Sequence, residues 1–363
     1  MKQLLIITNT MGRAGAERAL ISLLRCLDYS RVSVSLLAII GRGEMFAQVP
    51  PQVKILNRNP STGPVRGHRF LPVKLLWRLL AYTAPVPQEE YDLAIAFLEG
   101  AATYCTAGRI SAKAKMAFVH VNLEKAGYPR HDAVYYREMD YICCVSVPVR
   151  DAFARMFPSL SPKLRIFENI IDKSEIITKA ALPGGFDDDF DGIRIVTVAR
   201  LHRQKGLDIL LHAIAMLDKN IRLYIIGEGE ERAKLRRLIK KLGLVGKAYL
   251  FGSCENPFPF VKQAMIYIQP SRFEGLSLSL MEAIILEKPC ITTDFDGLPA
   301  LLKNGKDALI VKPDATQIAA ALKTLIEDAD LRAALSEGTK HVPLNFPNKT
   351  AILYEIMEGR NWL

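Results

Sequence analysis

"LLIITNTMGRAGAERAL", Leu4–Leu20, starts as an apolar run, passes two glycines and ends in a segment with helical spacing. That order reads as a buried strand, a tight turn and a helix. One lysine and a short apolar run with no small-residue cleavage site make the start a first strand, not a secretion signal. The same succession recurs. Strands are expected at Leu4–Thr10, Ser33–Ile40, Val53–Arg58, Asp92–Glu99, Lys115–His120, Asp140–Ser146 and Leu164–Asn169, with helical patterns such as Ala16–Leu27 and Val147–Met156 between them. Apolar strands alternating with helices imply a parallel sheet covered on both faces.

"LPGGFDDDFDG" (Leu182–Gly192) interrupts the series with a proline, a glycine pair and four aspartates, and reads as a solvated linker. A second series follows: Arg194–Arg200, Arg222–Gly227, Ala248–Gly252, Met265–Pro270, Pro289–Thr293 and Asp307–Val311, with helices expected over Gly206–Leu217, Glu230–Leu242 and Gly275–Leu286. The expected class is α/β, two doubly wound parallel-sheet domains. They run over 1–172 and 193–345, joined by a linker at 173–192. A C-terminal helix at 346–363 is expected to pack back on the first domain. The 363 residues suit two cores.

No stretch of 18 apolar residues occurs, so no membrane-spanning helix is expected. The six cysteines sit mostly in apolar runs without C-x-x-C spacing, as reduced thiols of a cytoplasmic protein do. The net charge of +10 is uneven: 23 Lys and Arg against 15 Asp and Glu through Glu175, then 25 against 23. A phosphorylated substrate, an anionic membrane or nucleic acid each fits such an excess. With no zinc-finger spacing and no aromatic–basic RNA pattern, nucleic acid ranks last.

Open α/β sheets bind ligands at the carboxyl ends of their strands, and the candidates lie there. Gly12 and Gly15 suit a phosphate or a purely structural turn. "GEGE", Gly227–Glu230, stops one glycine short of the dinucleotide fingerprint. Arg200 closes a strand, and Lys205 precedes a helix start: an anion site or two solvated cations. In "SRFEGLSLSLMEA" (Ser271–Ala283), Glu274 and Glu282 bracket seven residues. Over an expected helix they lie about 80° apart. A carboxylate pair also fits a glycosidase, whereas Glu282 among apolar neighbours requires partners. The "DFD" at Asp294–Asp296 resembles a metal-binding Asp-x-Asp, but the six histidines show no ligand spacing.

Together these motifs resemble the retaining glycosyltransferase family 4, of the bacterial surface-polysaccharide and lipopolysaccharide type. The likeness rests on Gly15–Arg18, read as a loop, "NIID" at Asn169–Asp172, "ARLHRQKG" at Ala199–Gly206, "IIGEGEER", the Glu274/Glu282 spacing and "DGLPALLKNGKDALIV" at Asp296–Val311. It implies the GT-B fold, two Rossmann-like domains facing a cleft. It also implies a nucleotide-diphosphate-sugar donor, preferably UDP-linked, a lipid-linked or lipopolysaccharide/capsule glycan acceptor, and no cofactor or metal. Arg200 and Lys205 would grip the diphosphate, Glu282 the ribose and Glu274 the sugar. Gly275, Leu276 and Gly297 would add backbone donors, with Gly227 in the donor site, Gly12 and Gly15 near phosphate or acceptor, and His120 beside the sugar. Ala300 replaces a common glutamate and Ile170 a common glycine. The rival readings are a GT-B nucleotide-sugar epimerase or hydrolase and a non-catalytic sugar-nucleotide binder. Residues 68–83, basic and amphipathic with Trp77, fit peripheral contact with the inner face of the plasma membrane as well as a helix packed on its sheet.

Overall fold

The computed structural model describes residues 1–12, 15–58, 73–295, 298, 302–344 and 349–362, with the side chains of 73–75 excepted. The chain divides into two units, Met1–Ile171 with Phe346–Leu363, and Asp172–Asn345.

In the first unit the apolar runs become β1 (Lys2–Thr8), β2 (Val32–Ala38), β3 (Lys54–Asn57), β4 (Tyr91–Ala96), β5 (Ala112–Val119), β6 (Tyr141–Cys144) and β7 (Leu164–Ile166). They pair in parallel in the order β3-β2-β1-β4-β5-β6-β7. Leu4, Leu5, Ile6 and Ile7 of β1 are all fully buried, which is why that run does not alternate. The second unit contains β8 (Ile193–Val198), β9 (Ile221–Ile226), β10 (Ala248–Gly252), β11 (Ile266–Gln269), β12 (Cys290–Thr293) and β13 (Leu309–Val311). Their order is β10-β9-β8-β11-β12-β13, again parallel. Its core packs Leu207, Leu210, Leu211 and Ile214 of the helix Leu207–Ala215 with Ile318, Leu322 and Leu325 of the helix Ala315–Glu327. Each such side chain contributes about 1.5–3 kcal/mol through burial.

The order reverses between β1 and β4 in one sheet and between β8 and β11 in the other. Neighbouring connections leave in opposite directions there and open a crevice at the strand ends. Lys205 follows β8 and Glu274 follows β11, so the topology alone brings these two segments together.

Four expectations are corrected. Residues 173–192 are not a linker: they belong to the second unit, and Lys173–Ala180 is a helix capped by Asp172. The aspartate run is not simply solvated, because Asp188 accepts from Arg222 at 2.9 Å and also from Arg194 and Tyr224. Hydrogen bonds from Tyr224 and Arg194 hold its carboxyl well below the usual range. Gly15–Arg18 is the first turn of the helix Gly15–Arg25, not a loop. The helix expected from Gly275 begins at Leu278.

The C-terminal segment completes the first unit. Its helix Thr350–Met357 buries Leu353, Tyr354, Ile356 and Met357. Lys349 pairs with Glu168, and the Arg165 guanidinium donates to the Trp362 carbonyl at 2.7 and 3.0 Å.

Candidate functional site

In the second unit, close backbone packing fixes the loop after β8. Ala199 N donates to Ile226 O at 3.0 Å, and Leu201 N to Glu228 O at 2.9 Å. A Cβ on Gly227 (φ 144°) would lie 2.1 Å from Ala199 O, and one on Gly229 would lie 2.3 Å from Leu201 O. The glycines of "GEGE" therefore let two loops touch, and Gly227, expected in the donor site, lies against the loop that carries Arg200. A short 3-10 turn, Arg203–Lys205, then ends at Gly206 (φ 62°), whose Cβ would collide with Pro270 O at 1.9 Å. That approach carries Lys205 to the end of β11.

Glu274 is buried there, and its Oε1 accepts from Lys205 Nζ, from Ser271 Oγ at 2.7 Å and from Gln269 Nε2 at 3.3 Å. Gln204 Nε2 reaches Oε2 at 3.3 Å and Phe273 O at 2.9 Å. Arg272 turns away into a bidentate pair with Asp208, at 2.8 and 2.7 Å, while its N–H donates to Gln204 O at 2.8 Å. Two loops about seventy residues apart in sequence are thus stitched by backbone and side chain alike.

Three residues on, Ser277 caps the helix Leu278–Ile285 without a side-chain capping bond. Its hydroxyl is buried and has no hydrogen-bond partner among the described residues. The first-turn N–H groups of a helix lack intrahelical acceptors, so a polar, electropositive end stands beside the Lys205–Glu274 pair. Glu282, buried on this helix, acts close enough to Tyr267 to help raise its phenol, after the larger effect of burial. Because the helix starts late, Glu274 lies outside it, and the 80° spacing expected for the two glutamates does not apply. Gly275 is buried and Leu276 half-buried in the approach to the helix. Arg200 is exposed; its carbonyl accepts from His202 N at 2.8 Å, and among the described residues its guanidinium has no hydrogen-bond or ion-pair partner. Gly297, Asp296 and Ala300 lie outside the described residues.

The first unit holds the remaining candidates. His120 follows β5, and its Nε2 lies 2.9 Å from Phe97 O. Burial lowers its imidazole to about 4. The sequence reading passed over Glu99, whose buried carboxylate accepts the backbone N–H groups of His120 and Val121. Burial raises Glu99 to about 7. Gly12 has room for a Cβ, with the nearest atoms at 3.7 Å, so this fold does not itself demand glycine there. Gly43 (φ 139°) does demand it, since its Cβ would lie 2.0 Å from Met11 backbone atoms. Gly15 opens the helix. Residue type does not single out Gln204, Gln269, Ser271 or Asp208, although Gln204 and Asp208 lie in the stretch around Lys205 and Ser271 in that around Glu274.

Residues 188–342, inside the second unit, match the family model described as glycosyl transferases group 1. Residues 188–342 form a group 1 glycosyltransferase domain by this match, and the two parallel sheets have the GT-B fold. An uncharacterised glycosyltransferase of Methanocaldococcus jannaschii is 28% identical over 56% of this chain, which spans 59% of that relative. A Campylobacter jejuni N-acetylgalactosamine-N,N'-diacetylbacillosaminyl-diphospho-undecaprenol 4-alpha-N-acetylgalactosaminyltransferase is 28% identical over 94% of both chains. Among solved structures, Anabaena HepE in complex with UDP and glucose aligns with a TM-score of 0.74 at 17% identity, over 99% of this chain and 100% of that one. At that identity the likeness concerns the fold.

Proposed function

We propose that this glycosyltransferase moves a sugar, with retained anomeric configuration, from a UDP-sugar to a lipid-linked or lipopolysaccharide/capsule glycan, without a metal. The observation that carries the reading is the Lys205–Glu274 pair at the β8/β11 switch point, beside a helix N-terminus with an unpartnered Ser277 hydroxyl. A leaving diphosphate gains negative charge as the glycosidic bond breaks. A fixed ammonium and oriented N–H groups favour that charge most in the transition state. Lys205 would exchange Glu274 for phosphate, with exposed Arg200 as the second cation. Glu274 would then accept a sugar hydroxyl and Glu282 a ribose hydroxyl. His120, neutral and buried, is the first unit's candidate for a polar contact with substrate, with Gly12 and Gly15 toward phosphate or acceptor.

The acceptor class is supported by the printed activity of the Campylobacter relative, and the nucleotide by the UDP held in HepE. The inner face of the plasma membrane follows as the place of work. On the helix Val73–Thr83, Leu79 and Tyr82 are 55% and 79% exposed, which supports peripheral lipid contact, although Arg78 is committed to Asp132 at 3.2 Å. Residues 68–72 of the basic stretch lie outside the described residues, and no described helix is long and apolar enough to cross a membrane.

Nucleotide release is the test. The purified chain is incubated with UDP-glucose, UDP-galactose and their N-acetyl derivatives, with and without an undecaprenyl-diphosphate-linked glycan, with and without EDTA. Acceptor-dependent, EDTA-resistant release and an α-linked product by NMR are expected. Equal release without acceptor would instead mark a hydrolase or a hydrolysing epimerase.

A further inference from the structure

Behind Glu274 runs a buried line of polar side chains that none of these roles uses. Tyr267 and Gln269 on β11 and Ser271 just after it are fully buried. The Tyr267 hydroxyl donates to Gln269 Oε1 at 3.0 Å. Ser279 Oγ, on the helix Leu278–Ile285, donates to the same oxygen at 3.1 Å. Two donors on Oε1 leave the amide one orientation, with Nε2 toward Ser271 Oγ at 2.7 Å and Glu274 Oε1 at 3.3 Å. The reversed amide would set its oxygen against the Glu274 carboxylate, which can only accept. On β12, the Thr293 hydroxyl donates to the Ser271 carbonyl and holds the far end.

We propose that Gln269 is a positioning residue for Glu274, oriented by Tyr267 and Ser279 so that the carboxylate is held by Oε1 and its Oε2 is kept for a ligand hydroxyl. Among the described residues Oε1 receives three donors, Lys205, Ser271 and Gln269, whereas Oε2 receives only the long contact from Gln204. A carboxylate oxygen offers about two lone-pair sites, so Oε1 is saturated and Oε2 is not. Burial pushes the Tyr267 phenol well up, so it remains a donor. Ser279 lies on the helix that carries Glu282, and so the network also ties the two glutamates together. This inference rests on the reading of the second unit as a sugar-nucleotide site. It assigns to Gln269 the discrimination between sugar-bearing and bare nucleotide.

The test uses the whole chain and the variants Gln269→Leu, Tyr267→Phe and Ser279→Ala. Tyr267→Phe keeps the shape of the core should Gln269→Leu fail to fold. Calorimetry measures affinity for UDP and for whichever of the four UDP-sugars above the wild type binds. Expected is UDP affinity within about twofold of wild type and a relative loss of about tenfold for the UDP-sugar, the scale of one hydrogen bond to a charged group. Equal losses for both ligands, or none for either, overturn the proposal. A wild type that binds neither UDP nor any UDP-sugar defeats the functional reading instead. Ligand-free crystal structures then decide the positioning role: in Tyr267→Phe or Gln269→Leu, Glu274 leaving Ser271 Oγ supports it, and an unmoved Glu274 overturns it.

Discussion

Lys205 and Glu274 neutralise one another at the switch point between β8 and β11. The pair is costly to desolvate, and breaking one side leaves the other charge buried and unmatched. Lys205→Ala is therefore expected to lower stability by about 3 kcal/mol in urea unfolding. Donor turnover should fall by about 100-fold or more in the nucleotide-release assay. His120 and Glu99 make opposite demands on pH. His120 titrates near 4 in the fold against an ordinary 6.5, so its stabilisation is full above 6.5 and lost as pH falls through about 4. Glu99 titrates near 7 against 4.5, so its stabilisation is full below 4.5 and lost as pH rises through about 7. Between pH 4.5 and 6.5 the two trends oppose. Thermal unfolding across that window should show His120→Gln losing stability relative to wild type as pH rises, and Glu99→Gln gaining it. The pairing of Lys205 with Glu274 was not legible from residue types. Either reads as a ligand contact, and only proximity makes them partners.

At the scale of the element, the runs that alternate with helices became thirteen described strands in the expected places, because short apolar runs bounded by turn signals suit a sheet covered on both faces. The helix after Glu274 was misjudged for a related reason. Leu276, Leu278, Leu280 and Met281 continue the apolar pattern, but burial of Gly275 and Ser277 comes from an extended approach to the helix, not from helix. The "GEGE" glycines stop short of a dinucleotide fingerprint, and in the fold they permit close backbone contact. Gly227→Ala sets a Cβ against Ala199 O, a backbone atom that cannot move aside alone, at a φ hostile to side chains. It should cost about 2 kcal/mol or more in urea unfolding. Gly243→Ala, at φ 69° with nothing within 4 Å, should cost about 1 kcal/mol.

Across the whole molecule, the segment from 346 onward completes the first unit although it is its last part in sequence. Deleting 346–363 would expose the pocket filled by Leu353, Tyr354, Ile356 and Met357, each contributing about 1.5–3 kcal/mol. Limited proteolysis should then cleave the first unit well before the second. Liposome flotation tests the membrane reading: binding to anionic vesicles should drop for a Leu79→Ser, Tyr82→Ser double variant, with UDP affinity unchanged. By itself the sequence determined the alternation of buried strands and covering helices, hence two parallel sheets, because side-chain hydrophobicity and its period are local properties. It also supplied the charged residues at the strand ends. Only the tertiary structure decided which of them meet. The crossing from β8 to β11 brings Lys205 to Glu274, and the direction of the Gln269 amide is set by hydroxyls from a strand and a helix at once. Hydrogen bonds between groups far apart in the chain have no signature in composition or period, since what selects them is the sheet order.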